Sequence, residues 1–249
     1  MELNFAALHE EIAGLIPDRP CLVWRDRQWT WAETTERTRR FANLLTAMGL
    51  GRKGSLESCT RWQSPHDHIA LYATNGNVYL EAMIGSAKAG AAAVNVNYRY
   101  GPEELAYVLN DCRAAAVVYQ RCFTPTLEAA LPLLERPPAL ICVDDGTDHV
   151  LLDEAVDYEA SLAGSSAERP SVEWSGDDLY VLYTGGTTGN PKGVLWRQAD
   201  FLVAALGLRP GAGDDTADRE MIERRTKGAR LAALPAPPFM HGAAHWNAL

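Results

Sequence analysis

The feature that most constrains the fold is a regular alternation of strand and helix patterns between residues 68 and 144. Short apolar runs with strand character are HIALYAT (68–74), AAAVNV (91–96), AAAVVY (114–119) and ALICVD (139–144). The segments between them, at 77–89, 102–111 and 124–134, have helical periodicity. Strands that alternate with helices of this length form right-handed βαβ units on a parallel sheet. The sequence therefore predicts an α/β fold with layered, parallel-rich sheets.

The flanking segments predict further elements around this region. We expect a helix at 4–16, a hairpin at 21–31, a helix at 32–48, a helix at 198–207 and a strand at 230–234. Residues 163–176 are polar and interrupted by proline, which predicts a linker or subdomain boundary. Residues 209–228 are rich in Gly, Asp and Arg, which predicts a solvated surface loop or short helix.

Charge and composition exclude several classes of protein. The net charge of −9 argues against nucleic-acid binding, which needs a basic surface. No apolar run approaches the roughly 20 residues of a membrane span. The first residues, MELNFAALHEEIAGL, carry acids where a secretory signal carries bases. The 5 cysteines are scattered without metal-binding spacing, so we expect a reducing, cytoplasmic location.

A second constraint lies in LYVLYTGGTTGNPKGVLW, residues 179–196, a Gly/Thr loop between two predicted buried strands. Glycines let a ligand approach the backbone closely, and successive N–H groups in such a loop form an anion-binding concavity. Threonine hydroxyls suit phosphate oxygens or Mg²⁺, and the lysine can neutralise a polyphosphate. The segment therefore predicts binding of a nucleoside triphosphate by Thr184, Gly185, Gly186, Thr187, Thr188, Gly189 and Lys192.

The loop is not a Walker A sequence, GxxxxGK[ST], because Pro191 precedes Lys192 and Gly193 follows it. The apolar run after Gly193 predicts a strand where a Walker loop opens a helix. A kinase-type GxGxxG is also absent from the segment. The alternative without a ligand is a Gly-rich hairpin turn. A turn seldom needs three threonines and a lysine, so phosphate binding is favoured.

The stretch YTGGTTGNPKG (183–193) closely resembles the phosphate-binding signature of the adenylate-forming superfamily. That superfamily comprises acyl-CoA synthetases, luciferases and peptide-synthetase adenylation domains. WTWAETTERTRRFANLL (29–45), YLEAMIGSAKAGAAAVNVNYRY (79–100) and PPFMHGAA (237–244) are similar to other family segments in order and spacing. The resemblance covers essentially the whole chain and implies the fold of the N-terminal adenylate-forming domain.

The resemblance implies a two-step reaction. A carboxylate attacks the α-phosphate of ATP to give an acyl-adenylate and pyrophosphate, and the thiol of CoA then displaces AMP. Residues 184–189 would wrap the β- and γ-phosphates with Lys192 nearby, and Thr187 would contact Mg²⁺. His241 would sit at the acyl carboxylate, near the reacting phosphate, as the candidate catalytic residue. Such a site screens polyphosphate charge and orients the attacking anion.

The segment around His241 distinguishes branches of the family. Peptide-synthetase domains resemble FDxS where this chain has FMHG (239–242), so no carboxylate is offered to a substrate α-amino group. A fatty, aryl or other lipid-like acid is therefore favoured, contacted by His241, Gly242 and Trp246. In long-chain synthetases, a tryptophan shortly after the histidine of the substrate pocket can gate the acyl tunnel. For Trp246 we expect packing in the core and not such a gating role.

Other histidines are weighed by their context. LESCTRWQSPHDH (56–68) is similar to an insertion in some lipid-acid synthetases, and it contains His66 and His68. We predict a surface loop there and not a metal site, because no third ligand is near in sequence. His9 and His149 are predicted to lie at the surface.

Family members are much longer than this chain. The resemblance implies that residues 1–249 form the first part of the large N-terminal domain. The remainder would supply an acidic Mg²⁺ ligand, the adenine and ribose contacts, and a mobile C-terminal lid with its catalytic lysine. Adenylation at a useful rate is therefore not expected from this chain alone. Surface that the remainder would cover favours self-association or pairing with a C-terminal half.

Three functions remain open at this point. The first is an acyl-CoA synthetase acting on a lipid-like acid. The second is a non-catalytic remnant of that family that binds a nucleotide or a partner chain. The third is an unrelated phosphate-binding α/β protein such as an NTP hydrolase, which would release ADP instead of AMP and pyrophosphate.

Overall fold

The computed structural model describes residues 2–185, 189–208, 219–228 and 232–249. The helices are α1 (Phe5–Leu15), α2 (Trp31–Ala47), α3 (Asn77–Lys88), α4 (Pro102–Asp111), α5 (Thr124–Ala130), α6 (Tyr158–Gly164), α7 (Gln198–Ala204), α8 (Arg219–Gly228) and α9 (Gly242–Ala248). The strands are β1 (Pro20–Trp24), β2 (Arg27–Thr30), β3 (His68–Tyr72), β4 (Ala92–Asn95), β5 (Ala114–Gln120), β6 (Ala139–Val143), β7 (Val156–Asp157), β8 (Leu179–Thr184) and β9 (Lys192–Arg197).

The main sheet has seven strands in the order β7-β6-β5-β3-β4-β8-β9. Every neighbouring pair from β7 to β8 is parallel, whereas β9 runs antiparallel to β8. Helical crossovers join β3 to β4, β4 to β5, β5 to β6 and β7 to β8, whereas a connection without a helix joins β6 to β7. The predicted α/β fold with a parallel-rich sheet is confirmed.

Helices cover both faces of this sheet, which explains its nearly continuous apolar strands. On one face α4 and α5 pack Leu105, Val108 and Leu127 against the sheet. On the other face α2 and α3 place Phe41 and Met83 over the strands. The α2–α3 contact is close enough to need a glycine. A Cβ on Gly85 would lie 2.7 Å from Cδ1 of Phe41.

The N-terminal segment packs beside β8. The side chain of Asn4 caps α1 by accepting hydrogen bonds from Ala6 N and Ala7 N. The Phe5 ring then meets the ring of Tyr180 edge-on, with centroids 5.7 Å apart. Strands β1 and β2 form the predicted hairpin, and a capping box between Thr30 and Glu33 begins α2.

Several elements differ from their sequence-based predictions. Strand β9 was predicted to be buried, but it is the edge strand of the sheet and its side chains alternate between exposed and half-buried. The predicted helix 124–134 ends as an α-helix at Ala130, and a 3₁₀ turn continues over Leu131–Leu133. Helix α6, of 7 residues, and strand β7, of 2 residues, were not predicted. Of the predicted strand 230–234, residues 230–231 lie outside the described residues and 232–234 form no strand.

The expected boundary at 163–176 begins at the end of α6, and residues 165–178 contain no helix or strand. Arg40 and Asn43 of α2 hold this segment by hydrogen bonds to the carbonyls of Ser165 and Ser166. Within the described ranges, no helix is both long and apolar enough to cross a bilayer.

Candidate active site

The carboxyl ends of β3, β4, β5 and β8 meet at one edge of the sheet because these strands are parallel. Ligands of open α/β sheets bind outside this edge. Polar side chains stand there at or just after the strand ends. They are Thr74, Asn75, Asn95, Gln120 and Thr184. The Gly/Thr loop and the FMHG segment both lie against this edge.

The Gly/Thr loop connects β8 to β9. Thr184 ends β8 and pairs in register with Lys192, the first residue of β9, and both side chains are exposed. Gly185 and Gly189 are also exposed, and Gly189 has a φ of 117°, which favours glycine. Gly186, Thr187 and Thr188 lie outside the described residues. The loop is thus the connection of an antiparallel hairpin, with a hydroxyl and an ammonium group side by side at its base.

The base of this hairpin is fixed by its neighbours. The hydroxyl of Tyr107 on α4 donates to the carbonyl of Pro191 at 3.2 Å. A Cβ on Gly193 would lie 2.7 Å from the ring of Tyr183, so only glycine fits beneath that ring without a shift. The residues on either side of Lys192 are therefore both fixed, Pro191 by a hydrogen bond and Gly193 by packing, which defines the backbone position of Lys192.

The FMHG segment is held by side chains from the sheet edge. Asn75 accepts a hydrogen bond from Phe239 N at 2.7 Å, and the Tyr79 hydroxyl donates to Phe239 O at 2.9 Å. Phe239 and Met240 are buried, with the Phe239 ring stacked on Tyr79 at a centroid distance of 5.0 Å. The segment therefore has a defined backbone position just before His241.

Asn95 joins the two predicted halves of the site. Its Nδ2 donates to Tyr183 O at 3.0 Å and to Met240 O at 2.6 Å, and its Oδ1 accepts from Tyr183 N at 2.7 Å. Asn95 is 4% exposed. Tyr183 immediately precedes Thr184, and Met240 immediately precedes His241. One buried amide thus fixes β8, the strand that leads into the Gly/Thr loop, beside the FMHG segment, although no role was predicted for Asn95 from the sequence.

His241 stands at the N-terminal end of α9 with its side chain exposed. Its backbone N–H donates to Pro238 O at 2.9 Å. Gly242 packs against β8, since a Cβ there would lie 2.6 Å from Cδ2 of Leu182. The predicted core packing of Trp246 is wrong, because this side chain is 52% exposed. The helix turns its neighbour His245 inward instead.

His245 is 2% exposed and both of its ring nitrogens have partners. Nδ1 lies 2.5 Å from the hydroxyl of Tyr180, and Nε2 lies 2.6 Å from the carbonyl of Phe239. Burial lowers the pKa of His245 to about 4, while the hydrogen bond to the Phe239 carbonyl acts in the opposite direction. No role was predicted for His245 from the sequence, because periodicity in a helix of 7 residues does not show which face is buried.

Comparison with known proteins identifies the family. The chain matches the family profile described as AMP-binding enzyme over residues 10–248. It belongs to this family. The chain is 42% identical over 246 residues to the medium-chain acyl-CoA ligase Mig of Mycobacterium avium, a match covering 98% of this chain and 44% of that protein. It is 35% identical over 249 residues to a 3-oxocholest-4-en-26-oate–CoA ligase of Rhodococcus rhodochrous, covering 99% of this chain and 42% of that protein.

A solved structure agrees with the family assignment. The inhibitor-bound N-terminal domain of FACL13 from Mycobacterium tuberculosis superposes with a TM-score of 0.71 at 25% identity, covering 100% of this chain and 54% of that one. The two curated ligases named above are longer than this chain, which covers less than half of the length of each. The fold and the family are established by these matches, and with them the adenylate-forming resemblance of its motifs.

The other histidines of this AMP-binding chain are placed differently from their predictions. His9 is buried, and so is His66, whose Nδ1 lies 2.8 Å from Gly90 O. His68 lies in β3 with Nδ1 2.7 Å from Cys112 O. The surface prediction is wrong for His9 and His66. The predicted loop is wrong for His68, which is half-buried in β3, and the surface prediction is confirmed for His149, which is exposed. In the described part of the chain, no cluster of three His, Cys, Asp or Glu side chains could hold a metal.

These buried histidines predict a stability that falls in mild acid. Burial lowers the pKa of His9, His66, His68 and His245 below the ordinary value of 6.5, to about 4 for His245. At a pH between the pKa of a histidine in the folded chain and its ordinary pKa of 6.5, the unfolded chain binds more protons than the folded chain. The free energy of unfolding therefore decreases as the pH falls from about 6.5 toward 4. For His245 alone the full loss is about 3 kcal/mol.

Urea unfolding at pH 7.5, 6 and 5 measures this loss. The His245→Gln variant should lack its share of the pH dependence, because glutamine does not titrate. Equal unfolding free energies of the original protein at the three pH values would contradict the burial of neutral histidines.

An apolar cavity of about 380 Å³ lies among α1, α3, α7, α8 and the end of α9. Its walls include Phe5, Leu8, Ile84, Leu202, Ile222 and Leu249. Polar groups are few there, among them His9, Cys21 and Arg225. Ala248 and Leu249, at the C-terminal end of α9, line the cavity, and His241 lies directly before the first residue of this helix. Helix α9 therefore runs from the FMHG segment to the apolar cavity.

Proposed function

We propose that this chain carries the phosphate and carboxylate sides of an AMP-forming acyl-CoA ligase site for a fatty or lipid-like acid. The observation that carries the proposal is the Asn95 amide, which holds the Gly/Thr-loop strand and the FMHG segment side by side. The reaction has to bring two anions together, ATP and a carboxylate. Two adjacent, separately fixed backbone segments at the carboxyl edge of a sheet suit that task.

On the phosphate side, Thr184 and Lys192 offer a hydroxyl donor and a positive charge from paired positions. These groups fit the β- and γ-phosphates of ATP. Gly185, Gly186, Thr187, Thr188 and Gly189 complete the proposed loop, and Thr187 is the proposed Mg²⁺ contact. Mg²⁺ would neutralise phosphate charge there. Of this set, the central residues lie outside the described part of the chain.

On the acid side, we propose that His241 contacts the carboxylate and that the hydrocarbon extends along α9. This helix of 7 residues is about 10 Å long at its usual rise. Its far end lines the apolar cavity, whose volume of about 380 Å³ suits a lipid-like chain. Gly242 and Trp246 lie on this route, the first packed against β8 and the second exposed. The relatives' names, which refer to medium-chain acyl and cholestenoate substrates, support the same class of acid.

The proposed reaction begins when a carboxylate oxygen attacks the α-phosphorus and pyrophosphate leaves, which gives the acyl-adenylate. The thiol of CoA then attacks the acyl carbon and AMP leaves, which gives the thioester. We further propose a cytoplasmic location, consistent with free thiols at all 5 cysteines. A subdomain boundary at 163–176, and self-association or pairing with a C-terminal half, remain parts of this proposal.

Acid-dependent ATP–pyrophosphate exchange on the 249-residue chain tests the proposal. A panel of fatty, aryl and sterol-like acids is used, with ATP binding followed separately by calorimetry. Exchange with one class of acid would support the first half-reaction and identify the substrate class. ATP binding without exchange would favour the alternative of a non-catalytic nucleotide-binding member of the family. No ATP binding would refute both.

The Lys192→Ala variant is expected to bind ATP about tenfold more weakly, because a charged contact to phosphate is worth more than 1 kcal/mol. Lys192 is exposed, so its free energy of unfolding should change by less than about 0.5 kcal/mol. Lys53→Ala, which removes another exposed lysine, is the control. Equal ATP affinities of the Lys192 variant and the original protein would contradict the phosphate role.

A further inference from the structure

We propose that His245 is a positioning residue that holds His241 in place through a Tyr180–His245–Phe239 hydrogen-bond chain. The role assigned to His241 rests on the proposed function, whereas the hydrogen-bond chain rests on the structure alone. The chain starts on β8, the strand that leads into the Gly/Thr loop, and ends two residues before His241. It is separate from the Asn95 link.

The chemistry of the partners fixes the tautomer of His245. The carbonyl of Phe239 can only accept, so Nε2 carries the hydrogen and donates to it. Nδ1 then has a free lone pair, which accepts the O–H of Tyr180. A neutral Nε2–H imidazole satisfies both contacts. The other tautomer would leave Nε2 without a hydrogen against the carbonyl, and a protonated ring could not accept from Tyr180.

The carbonyl of Phe239 is the point on which these contacts converge. It accepts from His245 Nε2 at 2.6 Å and from the Tyr79 hydroxyl at 2.9 Å, which uses both of its lone pairs. The rings of Tyr79, Phe239 and Tyr180 surround the imidazole at centroid distances of 5.8, 6.0 and 5.8 Å. Among the described residues, the groups that face His245 are therefore two phenols, the Phe239 ring and a carbonyl, and its hydrogen-bond partners are Tyr180 and Phe239 O.

The hydrogen bonds of His245 fix the position of the backbone before His241, which an apolar side chain of similar size would not do. Phe239 N, Phe239 O and Met240 O each form a hydrogen bond with a side chain outside the FMHG segment. His245 is the one of these partners that lies on the same helix as the exposed His241, one turn further along. The imidazole thus ties α9 both to the FMHG segment that precedes it and to β8. A leucine at 245 would fill the space but leave the Phe239 carbonyl with Tyr79 alone.

The test compares His245→Leu with His245→Gln, in which the glutamine amide can still donate to Phe239 O. Asn247→Ala on the exposed side of α9 is the matched control. In ¹⁵N NMR spectra of the unliganded chain, we expect the ring and amide signals of His241 to shift in His245→Leu and to return toward their original positions in His245→Gln. Unchanged His241 signals in a folded His245→Leu variant would overturn the proposal.

The imidazole nitrogens of His245 provide a second, independent measurement. We expect the Nε2–H tautomer at pH 7, with no protonation above about pH 5. Tyr180→Phe, which keeps the ring and removes the donor to Nδ1, should raise the pH at which His245 protonates. If His245→Leu does not fold, Tyr180→Phe decides the proposal. Unaltered His245 and His241 signals in that variant would then overturn it.

Titration with decanoate separates this proposal from the proposed function. If the original chain binds decanoate, His245→Leu should bind it about tenfold more weakly, corresponding to the loss of one hydrogen bond to a fixed carbonyl. Equal decanoate affinity with shifted His241 signals would overturn the positioning role. If the original chain does not bind decanoate, the carboxylate assignment of His241 fails, and the spectra without ligand still decide whether His245 positions His241.

Discussion

The Glu10→Leu variant is expected to lose about 3–5 kcal/mol of unfolding free energy, because it leaves a buried positive charge without its partner. Lys88 Nζ lies 2.5 Å from Glu10 Oε1, and the Lys88 side chain is fully buried. Burial lowers the pKa of Lys88 to about 8 and Glu10 opposes that shift, so the amine is mostly protonated at neutral pH. Glu10 also binds Arg39, 2.6 Å from its Oε2. Urea unfolding at pH 7 measures the loss.

Two further variants separate the buried pair from ordinary surface charge. Glu36→Leu removes an exposed partner of Arg40 on α2 and should cost less than about 1 kcal/mol. Lys88→Met combined with Glu10→Leu removes both charges and should recover most of the loss. A Glu10→Leu variant as stable as Glu36→Leu would show that the pair contributes little.

The Asn95→Ala variant is expected to damage both stability and ATP binding. It leaves Tyr183 N and two buried carbonyls without the side chain that satisfies them, and each such group costs about 1–3 kcal/mol. We expect a total loss of about 3 kcal/mol, because the groups can relax partly toward other partners. ATP should bind about tenfold more weakly in the folded fraction, because β8 no longer holds the base of the Gly/Thr loop.

Asn110→Ala is the matched control for this prediction. Asn110 also bonds to backbone groups of a distant segment, donating to Leu133 O and accepting from Glu135 N, but at the exposed surface. Its loss should cost about 1 kcal/mol or less and leave ATP affinity unchanged. An Asn95→Ala variant that keeps full ATP affinity would show that the two halves of the site do not depend on this amide.

Local sequence patterns were enough to predict the central strands β3 and β5 and the turn at the Gly/Thr loop. The apolar runs at 68–74 and 114–119 became β3 and β5, because short β-favouring runs between helices have few alternatives. The Gly/Thr loop fell at the end of β8, where its composition required a turn. The family followed from the same segment and is confirmed over residues 10–248.

Tertiary packing decided what a linear pattern does not contain. Whether β9 is buried depends on its place at the sheet edge, and whether His245 or Trp246 faces inward depends on how α9 meets β8. The partners of Asn95 are 88 and 145 residues away along the chain. The alternation of strand and helix patterns thus determined the fold class, and the resemblance of the Gly/Thr segment determined the family. The tertiary structure alone decided which polar side chains hold the site together, because desolvation and hydrogen bonding depend on neighbours that only the folded chain brings together.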